Sequence, residues 1–355
     1  MVTAKAEREI VADVKLDPAL SESAARLVKL GCALVGSGQG DKAVAIVERM
    51  LEEHPGDRLW SEAGQAILSY KVPAFHRSML ADRDRNEAYE SAIEASVRPG
   101  DLVLDIGAGS GLLAMMAARA GAARVVACES DRLLAATARE IVSRNGYGDV
   151  VEIVAERSTK LEPTGALAAG ADLIVSEVFS HTLLDEGAIG TLNHAMKALA
   201  RPGARIIPAS ASIHVALAEF RGEILPPLGD VSGFDLSLFD RHAPRAMSLP
   251  LKSRHLHLRS AAQPIFDFDF TRGEAPVERR RKLALTSRGG RVNAVAQWIR
   301  LQLTDDIAFE NGPGPGRWSH WPCVLYPFDS PIETADGDQL PVEGWHDEVR
   351  LRIWS

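Results

Sequence analysis

The sequence predicts an α/β chain. A doubly wound, mainly parallel sheet is preceded by a helical hairpin and followed by an antiparallel, barrel-like β domain. Three observations lead there. Between 100 and 203, short apolar runs alternate with helical patterns: "LVLDIG" with "GLLAMMAARAG", "RVVACE" with "RLLAATAREIVSRNG", then "VEIVAE", "DLIVSE" and "LNHAMKALARPG". From about 206 the period drops to two, in "ARIIPASASIHVALAEF", "RHLHLRS", "IFDFDF", "NAVAQWIRLQL", "PCVLYPF" and "EVRLRIWS". Ahead of the first strand, 20–69 carries apolar residues at helical spacing. The expected domains are 1–69, 70–208 and 209–355.

In chain order, 1–17 mixes charges throughout and reads as a mobile or weakly helical tail, with no apolar core of a secretory signal. "SESAARLVKLGCALVGSGQ" and "GDKAVAIVERMLEEHPGD" make an αα-hairpin that ends at Pro55-Gly56. Leu30-Gly31, Ala43 and Pro55 stand as in one tetratricopeptide repeat. A single repeat cannot bury its own face, so docking onto the next domain is expected, with peptide binding as the alternative. A further helix covers 87–97 and ends at Pro99-Gly100. In the β domain, "ENGPGPGRWSHW" and "DSPIETADGD" read as loops. "GDVSGFDLSLFDRHAPRAMSL" interrupts the strands with an apolar cluster of Phe234, Leu236, Leu238 and Phe239.

Composition excludes several classes. A net charge of −8 argues against nucleic acid as the main partner. No apolar run reaches the ~18 residues of a membrane helix, so no membrane partner is expected. Cys32, Cys128 and Cys323 are few and scattered, which fits a reducing, cytoplasmic setting and no metal site.

The first chemical signal is "VLDIGAGSGLL". A strand carrying Asp105 runs into Gly107, Gly109 and Gly111, which open a helix. Glycines there let a ligand approach the backbone. A dinucleotide site wants G-x-G-x-x-G, whereas here the pattern is G-x-G-x-G, with Leu112 where that last glycine belongs. This favours S-adenosyl-L-methionine (AdoMet) over NAD. Glu129 closes the next strand, where a carboxylate accepts both ribose hydroxyls. No C-x-x-x-C-x-x-C cluster exists for radical chemistry, so a polar methyl transfer remains.

The second signal is "SEVFSHTLLDEG", where Glu177 and Glu186 stand nine residues apart after a buried strand. Read alone, one acid caps a strand end and the other starts a helix. Converging, the two need a cation to face. A guanidinium arrives charged and planar, and offers paired N–H donors to a carboxylate.

With "MLADRDRNEAY", "VLDIGAGSGLLAMMAARAGA", "SEVFSHTLLDEGA" and "SHWPCVLYPF" in this order, 75–220 resembles the catalytic core of the protein arginine methyltransferases. Its loop is most similar to that of the monomethylating, type-seven-like branch. The resemblance implies a Rossmann-like AdoMet domain and methylation of arginine in a protein or peptide. A methyltransferase of a small molecule or modified peptide, and a silent AdoMet-binding scaffold, are the alternatives. It also implies roles. Glu177 and Glu186 form the double-E loop that holds the guanidinium. Arg85 pairs with the AdoMet carboxylate and Met79 lines the transfer site. Asp82 pairs with His320, and Trp321 walls the arginine channel with Phe179 and His181 at the substrate. Ser158 and Thr159 sit by the adenine. Ser319 replaces the family's threonine, and Phe75 and His76 stand where a second tyrosine would follow Tyr70. A homodimer built through the 229–249 arm is the implied assembly.

Overall fold

The computed structural model describes residues 22–355 except 74, 223, 225–227, 243–244 and 275–278. The 1–17 tail lies outside the described residues. The chain divides into two compact units. One comprises the residues up to Leu80 with Ile93–Glu177 and Ala195–Arg205, and the other Ala81–Ala92, Val178–His194 and Ile206–Ser355.

The first unit opens with three helices, α1 (Glu22–Gly36), α2 (Gly40–Glu53) and α3 (Arg58–Leu68), where the sequence pattern showed a pair. Asp57 caps α3 by accepting the Leu59 N–H. The third helix supplies the missing face: Ala63 and Ile67 close a small core with Ala24, Val28, Cys32, Ala43, Val47 and Met50. Small residues permit this, since a Cβ on Gly31 would strike the Ile67 side chain. The module then docks on the sheet domain. The start of α2 packs on α7 (Arg132–Arg144) so tightly that Gly40 lies against the Leu133 backbone. Between them in sequence are α4 (Phe75–Leu80), α5 (Arg83–Ser96) and α6 (Leu112–Arg119).

The sheet of this unit has the order β3-β2-β1-β4-β5, with β1 at Leu102–Ile106, β2 at Arg124–Cys128, β3 at Val151–Val154, β4 at Ala171–Ser176 and β5 at Ala200–Ile207. The strands β3, β2, β1 and β4 run parallel. β4 is buried along its whole length, as expected of a strand covered on both faces. The strand order reverses between β1 and β4, the place where open α/β sheets bind ligands at their carboxyl edge. Arg205 locks the opposite edge through Asp101 at 2.7 Å and the Ser96 carbonyl.

After α8 (Ala188–Ala198) and β5, the second unit is antiparallel. Its eight-stranded sheet has the central order β10-β6-β12-β14-β15, with β11, β13 and β9 pairing off β6, β12 and β14. These strands are β6 (Ser210–Phe220), β9 (Met247–Leu249), β10 (Leu256–Leu258), β11 (Gln263–Asp269), β12 (Arg280–Gln302), β13 (Ala308–Glu310), β14 (Cys323–His346) and β15 (Leu351–Trp354). The sequence reading is corrected in two places. "DSPIETADGD" lies inside β14 and is not a loop, and β12 begins at Arg280, well before "NAVAQWIRLQL". Both stretches form a mostly exposed two-stranded ladder, register Arg291↔Glu333 and Lys282↔Glu343 among others. Their inward face carries Leu285, Val292, Leu340 and Val342, but glycines, prolines and charged residues interrupt the apolar period. The core lies further along, where Ala216, Ala218, Ala294 and Ala296 leave room for Trp298 and Phe220. The arm carries the short pair β7 (Asp230–Val231) and β8 (Phe234–Asp235), and Phe234, Leu238 and Phe239 are 70%, 65% and 66% exposed.

Candidate active site

In the parallel unit, register brings the sequence motifs into one row. Ile106 pairs with Cys128 on one side and with Ser176 on the other. The next residues of the three strands, Gly107, Glu129 and Glu177, therefore stand together at the carboxyl edge. The Ser176 hydroxyl donates to the Ile106 carbonyl at 3.0 Å and fixes β4 against β1 there. Asp105 is buried in β1 just before the glycines.

Gly107, Gly109 and Gly111 all have positive φ, 78°, 53° and 80°, which any side chain would strain. Their surroundings differ. A Cβ on Gly111 would press on Val142, so this glycine serves packing of α6. A Cβ on Gly109 would meet only the Gly107 carbonyl at 3.9 Å, so this face of the loop is open to a ligand. Glu129 is 8% exposed and braces the loop: it accepts the Gly109 N–H at 2.9 Å and the Asp131 N–H at 2.8 Å. The Ser130 hydroxyl adds a long contact at 3.5 Å, and a carboxylate with about four acceptor positions keeps capacity for a ligand hydroxyl beside these. The open cradle and the buried acceptor fit an adenosine-bearing cofactor. Ser158 is buried and Thr159 exposed in a short 3-10 turn after β3. Met79 is half-buried on α4.

In the antiparallel unit, Asp82 and His320 meet across 238 positions. One oxygen of Asp82, fully buried, accepts from the Ser319 hydroxyl at 2.8 Å, the His320 N–H at 3.0 Å and His320 Nδ1 at 2.9 Å. Its other oxygen caps α5 by accepting the Arg85 N–H at 3.2 Å. Burial alone would raise this carboxyl's pKa, but these hydrogen bonds, those of His320 and Ser319 foremost, hold it below the usual value. The Asp82 contact fixes the ring of His320, and Trp321 packs against that ring at 4.4 Å and against Phe309 at 5.8 Å. Arg85 is buried with its guanidinium 5.1 Å above the Tyr89 ring.

The acceptor loop is pinned by its apolar residues. Phe179 sits beside Phe270, 5.9 Å between centroids, while Leu183 and Leu184 are fully buried. Leu183 takes φ 75°, a strained value for leucine, so the loop is held by its surroundings. Gln297, buried in β12, donates to the His181 carbonyl at 3.2 Å. Burial lowers the pKa of His181, opposed by Asp185. At Glu186, loss of hydration and the neighbouring Asp185 charge raise the carboxyl's pKa, with His320 opposing.

Comparison with known proteins decides the family. The profile of the ribosomal protein L11 methyltransferase family (PrmA) matches residues 90–209. An arginine N(omega)-methyltransferase of Streptomyces achromogenes subsp. streptozoticus is 36% identical over 334 residues, 92% of this chain and 91% of the relative. The chain belongs to the arginine N-methyltransferase family. Protein arginine N-methyltransferase 7 of Drosophila grimshawi is 33% identical over 349 residues, 83% of this chain but 49% of that protein. The chain thus spans about half the length of this longer relative. In fold, it resembles the Trypanosoma brucei PRMT1 enzyme-prozyme complex with AdoHcy, with a TM-score of 0.68, 24% identity, and coverage of 78% of this chain and 89% of that one. Arabidopsis thaliana protein arginine methyltransferase 10 gives a TM-score of 0.64 at 21% identity, covering 76% and 86%. As a member of the arginine N-methyltransferase family, the chain is an AdoMet-dependent enzyme.

Gln297 escaped the sequence reading, and His76 and Ser319 entered it only as departures from the family pattern. His76 is half-buried and lies within the electrostatic reach of Glu129 and Asp131. Ser319 donates to Asp82, a role for the hydroxyl that serine and threonine share. Gln297 ties down the acceptor loop, and a glutamine amid "AVAQWIRL" is the one signal that marked it. No cluster of metal-ligating residues occurs among the described residues.

Proposed function

We propose that this arginine methyltransferase-family chain transfers a methyl group from AdoMet to a guanidino nitrogen of arginine. The row of Gly107, Glu129 and Glu177 at the carboxyl edge of β1, β2 and β4 carries this reading. The open loop at Gly109 and the buried Glu129 hold the cofactor, with the ribose hydroxyls on Glu129 and the adenine near Ser158 and Thr159. Arg85 takes its carboxylate, and Met79 and Asp105 line its site, with His76 added. Bound AdoMet supplies an electrophilic methyl on a sulfonium.

The rest is the work of this chain's residues. Glu177 and Glu186 of the acceptor loop each accept N–H groups of the guanidinium and draw its positive charge toward them. The remaining nitrogen keeps more lone-pair character and is held for in-line attack, so most of the rate comes from positioning. The proton leaves after transfer, when the methylated nitrogen is far more acidic. The raised pKa of Glu186 suits a carboxylate that gains a cation on binding. The Asp82–His320 pair holds "SHWP" in place, so that Trp321 walls the channel with Phe179 and His181.

The acceptor is arginine in a protein or peptide, or a small molecule that carries the same group. The name of the Streptomyces relative, arginine and not protein arginine, supports the small acceptor. Radiolabelled AdoMet is the test, with free and peptide-bound arginine as acceptors. Glu177→Gln is expected to lower kcat by roughly 10²–10³-fold and to leave AdoMet affinity within a few-fold. Near-normal turnover in that variant would remove the central assignment.

We further place the chain in a reducing, cytoplasmic setting, supported by three buried free cysteines. The assembly proposed is a homodimer in which the exposed arm residues Phe234, Leu238 and Phe239 dock on a partner copy. Leaving them in water costs about 25 cal/mol per Å² of apolar area. In sedimentation, Phe234→Asp with Phe239→Asp should convert a dimer to a monomer. A monomeric unmutated chain at micromolar concentration would end the idea.

A further inference from the structure

A pocket of about 210 Å³ opens on the surface of the antiparallel unit, with the acceptor loop as one wall and β9, β14 and β15 as the others, and Asp185 and Arg352 at its exposed rim. From the loop, His181, Thr182 and Asp185 face it, and from the sheet Tyr326, Arg350 and Arg352. Its walls thus carry both signs of charge with hydroxyls between. Tyr326 is buried there at 5% exposure. Burial raises the pKa of its hydroxyl, Arg352 lowers it and Asp185 raises it further, so both charges act on one small volume. Arg350 leans on Asp347 at 3.9 Å and is mostly in solvent. Arg352 gives one N–H to the Leu351 carbonyl at 3.1 Å, and a guanidinium has five. Asp185 is the chain neighbour of Glu186.

We propose that this cavity binds the α-amino and α-carboxylate groups of a free amino acid, Asp185 taking the ammonium and Arg352 the carboxylate, and that the acceptor is free L-arginine. The inference rests on the reading of Glu186 as a guanidinium ligand. Five bonds separate Cα from Cζ in arginine, roughly 6 Å when extended; Asp185 lines the cavity and its neighbour Glu186 does not, so the two adjacent residues can serve the two ends. The charges argue against a peptide. At the Cα of a peptide-bound arginine both neighbours are neutral amides. Seating them here would strip water from Asp185 and Arg352 and return no opposite charge, an arrangement that costs binding. A zwitterion satisfies both. The hydroxyls of Tyr326 and Thr182 add neutral contacts that fit either charged group.

The test compares methyl transfer from AdoMet to L-arginine, agmatine, Nα-acetyl-L-arginine amide and an arginine-containing peptide, by the full chain and by Asp185→Asn and Arg352→Gln. The expected result is a kcat/KM for L-arginine at least tenfold above each of the other three. Asp185→Asn should lower kcat/KM for L-arginine until its advantage over the Nα-acetylated amide is gone, and Arg352→Gln should do the same for its advantage over agmatine. A preferred peptide, or L-arginine turnover that neither substitution alters, would overturn the cavity assignment while leaving arginine methylation standing. No transfer to any of the four acceptors would instead overturn the proposed function itself, and the acceptor assignment with it.

Discussion

The two units build their halves of the chemistry by opposite routes. In the parallel unit everything needed is local. Gly109 and Glu129 lie 20 positions apart, joined by a hydrogen bond, and strand register aligns their strands. In the antiparallel unit the key contact joins Asp82 to His320 across 238 positions, and the near neighbours Arg85 and Trp321 cannot replace it. A parallel sheet delivers its carboxyl ends to one edge whatever the side chains are. An antiparallel sheet delivers nothing comparable, so its site depends on individual buried polar contacts. The first kind of site should tolerate the loss of one contact, and the second should fail when its single hub is removed.

The largest expected effect is therefore at Asp82. Asp82→Ala leaves the Ser319 hydroxyl, the His320 N–H and His320 Nδ1 without their shared acceptor in a buried place. A loss of about 3 kcal/mol or more in unfolding free energy is expected, since three buried hydrogen-bonding groups lose their acceptor at roughly 1–3 kcal/mol each, measured by denaturant titration. The pH dependence separates charge from shape. A carboxyl whose pKa is lowered in the fold stabilises it while ionised, and loses that contribution as pH falls from about 4 through the lowered folded value. Asp82→Asn should lack this part of the acid destabilisation. An Asp82→Ala variant as stable as the unmutated chain would make the hub contact dispensable and erase the contrast between the units.

The same contrast explains what was legible in the sequence. The parallel unit was read nearly to the residue, because apolar runs of four to six residues and punctuating glycines encode it directly: "LVLDIG" became Leu102–Ile106 and "RVVACE" became Arg124–Cys128. In the antiparallel unit the short buried strands were legible, but the exposed ladder of 280–292 with 332–346 was not. Its inward residues Leu285, Val292, Leu340 and Val342 are separated by glycines, prolines and charges, so the apolar period is interrupted and strand pairing supplies the rest of the order. The third helix, Arg58–Leu68, was missed for another reason. Its apolar positions, Leu59, Trp60, Ala63, Ala66, Ile67 and Leu68, are well spaced, but the Pro55-Gly56 break closed the hairpin pattern just before it, and its role is visible only once α1 and α2 offer a groove. Of the site, the residues in motifs were legible. Gln297 was not singled out, and Ser319 was noted only as a replacement for threonine, since a hydrogen bond to a loop carbonyl or a remote carboxylate leaves no pattern in one sequence.

A smaller effect is expected at Glu129, in the tolerant half. Glu129→Ala removes an acceptor from the Gly109 and Asp131 N–H groups and from the cofactor's ribose. AdoMet affinity should fall by roughly 1–3 kcal/mol, about 5- to 150-fold, as read by calorimetry. The fold should survive, since strand register and the packing of Gly111 do not use this side chain. A variant that unfolds outright would show that the parallel unit, too, hangs on a single polar hub.

The smallest effect tests the docking of the N-terminal module, where the parallel unit meets helices that its sheet does not dictate. Gly31 and Gly40 are both crowded, but by different things. A Cβ at Gly31 would meet the far carbons of Ile67, which sits inside the three-helix core and has rotamers to move into. A Cβ at Gly40 would run into the Leu133 backbone nitrogen and Cα at the start of α7, where Asp131 already fixes the first turn by accepting the Leu133 and Leu134 N–H groups. Backbone cannot rotate away, so the module itself would have to lift. Gly40→Ala is therefore expected to destabilise the chain by roughly 1–3 kcal/mol, the usual range for overpacking, and to speed amide exchange throughout α1–α3. Gly31→Ala should cost less, because replacing glycine within a helix recovers part of the loss, ~0.5–1 kcal/mol. Equal effects from the two substitutions would mean that α2 rests loosely on α7, and that the module is an appendage and not part of the unit's core.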